Sequence, residues 1–431
     1  MGFKKLKISV LYYIARYAAV ILPIQINKSN TYHVQGTVEY NKMKILITTD
    51  LYTVKTNGVV TSVNNLSEEL TAKGHDVRIL TLSGRSRSRR EGNVYYIRSM
   101  PIGVYPNVRM PLAYRHRFVR ELIEWKPDVI HSQCEFFSFN FALRISRKTG
   151  APIVHTYHTL YEQYASYAIP SKRLGNFVVR KLSKKRLKKV KRVVAPTRKV
   201  EAALLSYGID NSISVVPSGI SLEQHKKRIS PEERKEKRAA LGIPENTPVL
   251  INLGRLGTEK NLEELVVLFS KALKHFGDMV FLIVGDGPAK EQLRRCAEEL
   301  GVADKVIFAG MVDPAEVQEY YQLGDVFVCA STSESQGLTY VEAAANGLPL
   351  LCRSDLCLKD VIRRGENGYE YTNEEEFLNG VDAILKDPAW RASAGELSRE
   401  IAEGFDKTAF GNAIEEVYRS VNKEKTEKTV E

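Results

Sequence analysis

The chain of 431 residues is too long for one ordinary hydrophobic core and suits two domains of about 150 to 200 residues each. Hydrophobic residues at 43% and charged residues at 26% are those of a soluble globular protein, and five cysteines, an odd number with no Cys-x-x-Cys pair, suit a reducing cytoplasm rather than a disulfide scaffold. The net charge of +12 is uneven, with +18 on residues 43–218 and −11 on residues 219–431, so an anionic partner is expected for the first half.

The first 42 residues stand apart. Lys4, Lys5 and Lys7 lead into Ile8 to Ile24, a 17-residue run that is apolar apart from Ser9 and Arg16 and marginal for spanning a bilayer. A signal-type segment and an amphipathic membrane anchor are two readings of it. A start codon placed too far upstream is the third and the favoured one, because Met43-Lys44-Ile45-Leu46-Ile47 has the look of a fresh start into the first strand of a nucleotide-binding-type fold.

From Met43 on, short β-branched runs alternate with helical ones. Strands are expected at Ile45–Thr49, Val77–Leu82, Val94–Ile97, Val129–His131, Ile153–Tyr157 and Val193–Pro196, with helices at Val59–Lys73, Ala113–Trp125, Phe139–Lys148 and Lys172–Lys189. Such alternation implies a parallel sheet covered on both faces. Val215 to Gly219 closes this unit, residues 43–218, and the charged, turn-rich stretch 219–247 reads as a linker. The alternation resumes over 248–408, with strands at Val249–Leu253, Val280–Val284, Val306–Ala309, Val326–Ala330 and Pro349–Cys352. Helices are expected there at Leu262–Phe276, Lys290–Leu300, Ala315–Leu323, Thr339–Asn346 and Glu374–Leu385. The fold class is therefore α/β, two doubly wound Rossmann-like domains whose facing sheets share a cleft at the carboxyl ends of their strands. Residues 409–431 are expected to form a helix, Ala409–Asn422, crossing back over the first domain, and then a disordered tail.

Several segments at expected strand ends carry chemistry. Asn57-Gly58-Val59 opens the first helix, where glycine admits a phosphate or sugar near the helix N-terminus. His155 and His158 alternate to opposite faces of a strand, which argues against a shared metal, and His158 at the carboxyl end faces the cleft. Arg255 and Lys260 follow the strand ending at Leu253, and two fixed cations there suit a diphosphate leaving group, whose negative charge grows in the transition state. The chain contains no Asp-x-Asp pair to hold a divalent ion, so protein cations must carry that task and no metal is assigned. Gly285-Asp286-Gly287 would let a nucleotide approach the backbone, but the run lacks the full dinucleotide fingerprint, against an NAD enzyme. In Ser333-Glu334-Ser335-Gln336-Gly337-Leu338-Thr339-Tyr340-Val341-Glu342 the first carboxylate lies in a loop and the second about one turn inside a helix. The first N–H groups of that helix, near Gly337, Leu338 and Thr339, point into the gap and favour a phosphate. One carboxylate would accept from sugar hydroxyls and the other from a ribose.

Taken in order, Asn57-Gly58, Thr156-Tyr157-His158-Thr159, Gly254-Arg255 with Lys260, Gly285-Asp286-Gly287 and Glu334-x7-Glu342 resemble the retaining glycosyltransferases of family 4 with the GT-B fold, over essentially all of residues 43–420. The run from His155 to Glu162, followed by a strongly basic helix, is similar to the membrane-associated diacylglycerol α-glucosyltransferases of Gram-positive bacteria and mycoplasmas. Phosphatidylinositol mannosyltransferases share the Tyr/Phe-His-Thr element. The resemblance implies a UDP-sugar donor, no tightly bound cofactor and no catalytic metal. It puts Arg255 and Lys260 on the diphosphate beside Gly58 and the backbone of Leu338 and Thr339, with Gly285 on the nucleotide side. Glu334 would bind sugar hydroxyls, Glu342 the ribose, Val312 the base edge through its backbone, and His158 the donor sugar near the reacting carbon. Retention by front-face attack, with the leaving phosphate as base, is implied, and the sequence offers no second carboxylate placed for a double displacement.

Residues 172–199 hold 13 Lys or Arg, among them Arg180, Lys181, Lys184, Lys185, Arg186, Lys188 and Lys189, interleaved with Leu174, Phe177, Val178, Leu182, Leu187 and Val190 near helical spacing. A basic amphipathic helix on an anionic leaflet, at about 1 kcal/mol per cation, is one reading, and a solvated helix packed by its apolar stripe is the other. Nucleic acid would call for an aromatic platform or a binding motif, so a bilayer is the expected anionic partner, with Arg85 to Arg90 as a second patch. The leading expectation is glucose transfer from UDP-glucose to diacylglycerol at the cytoplasmic face of the membrane. The alternatives are a GDP-mannose or UDP-galactose transferase acting on another lipid, a sugar-nucleotide epimerase on the same fold, and a non-catalytic partner subunit.

Overall fold

The computed structural model describes residues 42–52, 57–102, 109–163, 171–209 and 212–430; the readings of residues 1–41 lie outside these. The first domain consists in chain order of β1 (Lys44–Thr49), α1 (Gly58–Ala72), β2 (Asp76–Ser83), β3 (Arg89–Glu91), β4 (Val94–Pro101), β5 (Arg109–Pro111), α2 (Arg117–Trp125), β6 (Val129–Ser132), α3 (Phe137–Thr149), β7 (Ile153–Thr156), α4 (Lys172–Leu187), β8 (Arg192–Ala195), α5 (Arg198–Ser206) and β9 (Ile213–Val215). Its sheet runs β3-β4-β2-β1-β6-β7-β8-β9 and is parallel except where β3 and β5 pair antiparallel with β4. β1 is covered on both faces, which is why it reads as an unbroken apolar run: Leu46 enters one core cluster and Ile45 and Ile47 the other.

The second domain continues with α6 (Leu222–Lys226), α7 (Pro231–Ala240), β10 (Val249–Leu253), α8 (Leu262–Phe276), β11 (Val280–Val284), α9 (Lys290–Glu299), β12 (Val306–Gly310), α10 (Val317–Tyr321), β13 (Val326–Cys329), α11 (Leu338–Ala345), β14 (Leu350–Arg353), β15 (Gly368–Tyr371), α12 (Glu374–Leu385) and α13 (Pro388–Glu403). Its parallel sheet is ordered β12-β11-β10-β13-β14-β15. In both sheets the order reverses beside the first strand, between β1 and β6 and between β10 and β13. The crevice outside the carboxyl ends at such a switch point is where open α/β sheets take their ligands.

Two expectations are corrected. The stretch 219–247 is not a linker but carries α6 and α7, and α7 opens with Ser230 and Glu233 in a capping box and Pro231 in the first turn. Arg238, 2% exposed, anchors α7 to the second domain by donating to the carbonyls of Leu323, Glu245 and Thr247 and to Asp325. With one buried arginine in place of an apolar stripe, the helix looks like a charged loop in sequence. The tail beyond Asn422, expected without structure, is helical instead: α14 (Lys407–Val430) runs through it, and Glu424 pairs with Lys191 at 2.5 Å and Arg192 at 2.7 Å. Phe410, Ile414, Val417, Tyr418 and Val421 of α14 complete the cluster that holds Ile45 and Ile47, so a helix reached through the second domain covers the first. The Tyr418 hydroxyl lies 2.6 Å from His131 Nδ1, and His131 Nε2 lies 2.7 Å from Thr156 Oγ1.

Candidate active site at the domain cleft

Two helix N-termini meet between the sheets. α1 is capped by Asn57, whose Oδ1 accepts from Val60 N at 3.0 Å, and a Cβ built on its first residue, Gly58, would lie 3.8 Å from Leu338 Cδ1 at the start of α11. A Cβ on Gly254, just past β10, would lie 3.9 Å from Thr339 Cγ2. Gly337 turns the chain into α11 at φ 75°, where a Cβ would strike the Tyr340 ring at 2.3 Å, so this position demands glycine. The opening N–H groups of both helices thus bound one small space, and two positive dipole ends there favour an anion.

The charged groups beside that space come from different strand ends. Lys260 Nζ donates to Glu334 Oε1 at 2.5 Å. Burial pushes the Glu334 carboxyl up, but the Lys260 ammonium, the Ser331 hydroxyl and the more distant Lys199 outweigh it and hold the group below the usual carboxylate range. Arg255, half exposed, forms an ion pair with Glu259. Glu342 sits one turn into α11 and accepts from the Tyr321 hydroxyl at 2.8 Å; burial raises its pKa against that bond.

The loop carrying Glu334 is gripped by the first domain. Leu160 N donates to Ser335 Oγ at 3.3 Å, Thr197 Oγ1 to Ser335 O at 2.6 Å, and Lys199 Nζ to Thr332 O at 2.8 Å and to Asp355 at 2.5 Å. Ser218 and Gln336 exchange two hydrogen bonds, each 2.8 Å. His158, two residues before Leu160, is thereby brought alongside the loop. β7 ends at Thr156, so His158 stands on the loop beyond the strand rather than on its alternating pleat. Its Nε2 lies 2.6 Å from Gln133 Oε1, and burial, with a smaller push from His155, depresses its pKa to about 3, so the ring is neutral.

Three polar residues at this edge belong to no sequence motif. Asp50 follows β1, and Gln133 and Glu135 follow β6, the two strands flanking the switch point. Glu135 lies 3.1 Å from His155 Nε2 and accepts from the Tyr161 hydroxyl at 2.5 Å. Position beyond a switch-point strand was the available signal, but no motif marked it. Asp50 Oδ1 accepts from Ser138 N at the start of α3 at 2.7 Å, yet burial outweighs that bond and lifts the carboxyl from 3.8 to about 6. The native state therefore holds more protons than the unfolded chain between these values. The associated stability is full below about pH 4 and lost as pH rises through 6, roughly 3 kcal/mol in all. Asp50→Asn should raise stability by roughly 2 kcal/mol at pH 8 and leave it unchanged at pH 4, as read from urea melts at the two values.

Other expected site residues have packing roles of their own. A Cβ on Gly285 would lie 1.9 Å from Gly254 O and one on Gly287 2.4 Å from Leu256 O. These glycines let two strand-end loops of the protein pack together, a packing role that stands beside the expected nucleotide approach. Val312 lies beyond β12, the edge strand, and packs against the second domain's core rather than with the Lys260–Glu334 pair. On α4, Lys184, Lys185 and Arg186 occupy the last turn and Lys188 caps it, where cations complement the helix dipole; Lys189 follows. Arg180 pairs with Glu162 at 2.6 Å, Lys181 lies over the Phe177 ring, and Arg186 also donates to Phe136 O at 3.1 Å.

Residues 56–224 match the model of Glycosyltransferase Family 4 and residues 233–401 that of Glycosyl transferases group 1. An alpha-monoglucosyldiacylglycerol synthase of Streptococcus pneumoniae is 32% identical over 379 residues, 87% of this chain and 85% of that protein. The chain belongs to glycosyltransferase family 4. This transferase is also 31% identical over 388 residues to the alpha-monoglucosyldiacylglycerol synthase of Acholeplasma laidlawii, covering 87% of the one and 96% of the other. Its fold matches the crystal structure of HepE from Anabaena in complex with UDP and glucose, with a TM-score of 0.68 at 18% identity over 88% of this chain and all of that one. The architecture is GT-B, as the motif order implied, and the protein is an enzyme.

Proposed function

We propose that this transferase moves glucose from UDP-glucose to the free hydroxyl of diacylglycerol, with retention of configuration, at the cytoplasmic face of an anionic membrane. The observation that carries the donor half is the convergence of the α1 and α11 N-termini, Gly58 against Leu338, beside the Lys260–Glu334 pair. A diphosphate lying there meets two helix dipoles, the backbone of Leu338 and Thr339, Arg255 and Lys260, so protein groups rather than a resident metal take up the charge of the leaving group. Glu334, kept ionised by Lys260, accepts from sugar hydroxyls. Glu342 accepts from the ribose, Val312 offers its backbone to the base, and His158 stands at the reacting carbon. The acceptor hydroxyl attacks from the face that the diphosphate leaves, and a departing phosphate oxygen takes its proton. Retention then needs no protein nucleophile.

The acceptor half rests on the two relatives named as alpha-monoglucosyldiacylglycerol synthases and on the outer face of α4. Ser183 and Leu187 turn inward, whereas Leu174, Phe177 and Leu182 are 54%, 60% and 53% exposed and share the opposite side with Lys181 and Lys185. Large apolar side chains among lysines on an exposed face suit insertion at an anionic lipid surface, with Arg180, Lys184, Arg186, Lys188 and Lys189 around them. Among the described residues no helix is long and apolar enough to cross a membrane, so this reading relies on surface contact. The double variant Leu174→Ser, Phe177→Ser should weaken sedimentation with anionic vesicles roughly 30-fold, about 2 kcal/mol for two half-exposed side chains, while the melting temperature stays put.

The deciding experiment incubates purified protein with mixed micelles of anionic lipid and diacylglycerol and with labelled UDP-glucose, UDP-galactose or GDP-mannose in turn. Label should enter lipid from UDP-glucose. Labelling only from GDP-mannose, or only of a soluble acceptor, would overturn the proposal, and conversion of donor without acceptor would mark an epimerase.

A further inference from the structure

The carboxyl edge of the first sheet holds a residue that the donor and acceptor readings leave unused. Gln133 directly follows β6, and its backbone N–H donates to Thr48 O at 2.9 Å, so the side chain starts from a fixed point beside β1. It is 2% exposed. Its Oε1 lies 2.6 Å from His158 Nε2, while its amide nitrogen, equally enclosed, has no hydrogen-bond partner among the described residues. A packing role would be met at lower cost by methionine, which leaves no N–H unpaired.

We infer that Gln133 is a positioning residue that fixes the tautomer of His158, placing the ring proton on Nε2 and leaving the Nδ1 lone pair for a hydroxyl of the donor sugar. The inference rests on the reading of His158 as the group at that sugar. A neutral imidazole has one N–H, and the acceptor that takes it decides which nitrogen keeps its lone pair. An amide oxygen accepts the proton without titrating, so the arrangement is the same across the working pH range.

The titratable groups facing His158 agree with a neutral ring. His155 approaches from β7 with Glu135 and Tyr161 beyond it, and His131 approaches from β6, enclosed between Tyr418 and Thr156. The neutral state also has a chemical purpose. Positive charge develops on the sugar ring as the glycosidic bond breaks, and an imidazolium at that carbon would oppose it, whereas a neutral acceptor does not.

The test uses the full-length enzyme labelled with 15N-histidine, together with Gln133→Met, Gln133→Glu and His158→Phe, the last to assign the His158 signals. In the wild type the ring should remain the Nε2–H tautomer from pH 5 to pH 9, with a flat rate profile, as neutral groups require. Gln133→Met should mix the tautomers and lower kcat about 30-fold with the donor KM within about threefold. Gln133→Glu keeps an acceptor oxygen but adds a charge, so His158 should titrate near neutrality and the rate should fall about tenfold per pH unit below that point. It also provides the answer if Gln133→Met fails to fold. An unchanged tautomer and kcat in Gln133→Met, or a wild-type profile in Gln133→Glu, overturns the inference. Full turnover in His158→Phe alongside a tautomer set by Gln133 would instead sink the sugar-contact reading and leave tautomer control standing.

Discussion

Lys260→Ala is expected to lower kcat about 10³-fold, Glu334→Ala to lower it about as far, and the double variant to be little worse than either. The two groups act as one device. The Glu334 side chain is 16% exposed, and the Lys260 ammonium is the largest of the groups, with Ser331 and Lys199, that override burial and hold its carboxyl below the usual range. Without Lys260 burial is opposed only by the weaker pull of the Ser331 hydroxyl and Lys199, the carboxyl pKa rises, and the group proposed to accept from sugar hydroxyls accepts less well. Without Glu334, Lys260 loses the carboxylate that holds its ammonium at 2.5 Å. A double-mutant cycle on kcat/KM checks the coupling. Losses that multiply toward 10⁶ would mean independent sites and would sink the clamp. Glu334→Ala should also sediment with anionic vesicles as the wild type does, since α4 is untouched.

Ending the chain at Asp406 should leave a protein whose first domain does not fold. Phe410, Ile414, Val417, Tyr418 and Val421 are each 8% exposed or less and all face the cluster that includes Ile45 and Ile47. At roughly 1.5–3 kcal/mol per side chain, burial of the five amounts to about 10 kcal/mol, comparable to the whole stability of a domain. Lys73–Glu415 and the Glu424 pairs with Lys191 and Arg192 are lost as well. Hydrogen exchange should show amides of β1 and β6 unprotected in the truncated chain while those of β10 and β13 remain protected. Tyr418→Phe, which removes only the hydroxyl at His131, should cost about 1–2 kcal/mol in a urea melt and keep both domains. Equal protection in both sheets of the truncated chain would show that α14 is dispensable.

The alternating strands and helices were legible because a sheet covered on both faces requires continuous apolar runs, as in Ile45-Leu46-Ile47 and Val280 to Val284. Glu334, Glu342, Arg255 and Lys260 were legible because each lies just past an expected strand end or helix start. Short, mostly polar pieces were not: β3 and β5 are three residues each, and α7 hides its one buried anchor, Arg238, in a charged run. Gln133 and Asp50 carried no motif. They matter through neighbours 25 and 88 residues away, His158 and Ser138.

From sequence alone came two doubly wound domains, the family and the charged residues at the strand ends, since these depend on local periodicity and on residue types at strand ends. Only the tertiary structure decided that the α1 and α11 N-termini face one another, that Gly285 and Gly287 serve loop packing, that α14 completes the first domain's core, and that Leu174, Phe177 and Leu182 of α4 face outward. The reason is physical. Local pattern fixes which face of an element is apolar, but which distant segment covers that face, and which polar atom at its edge finds a partner, is set by contacts between residues far apart in the chain.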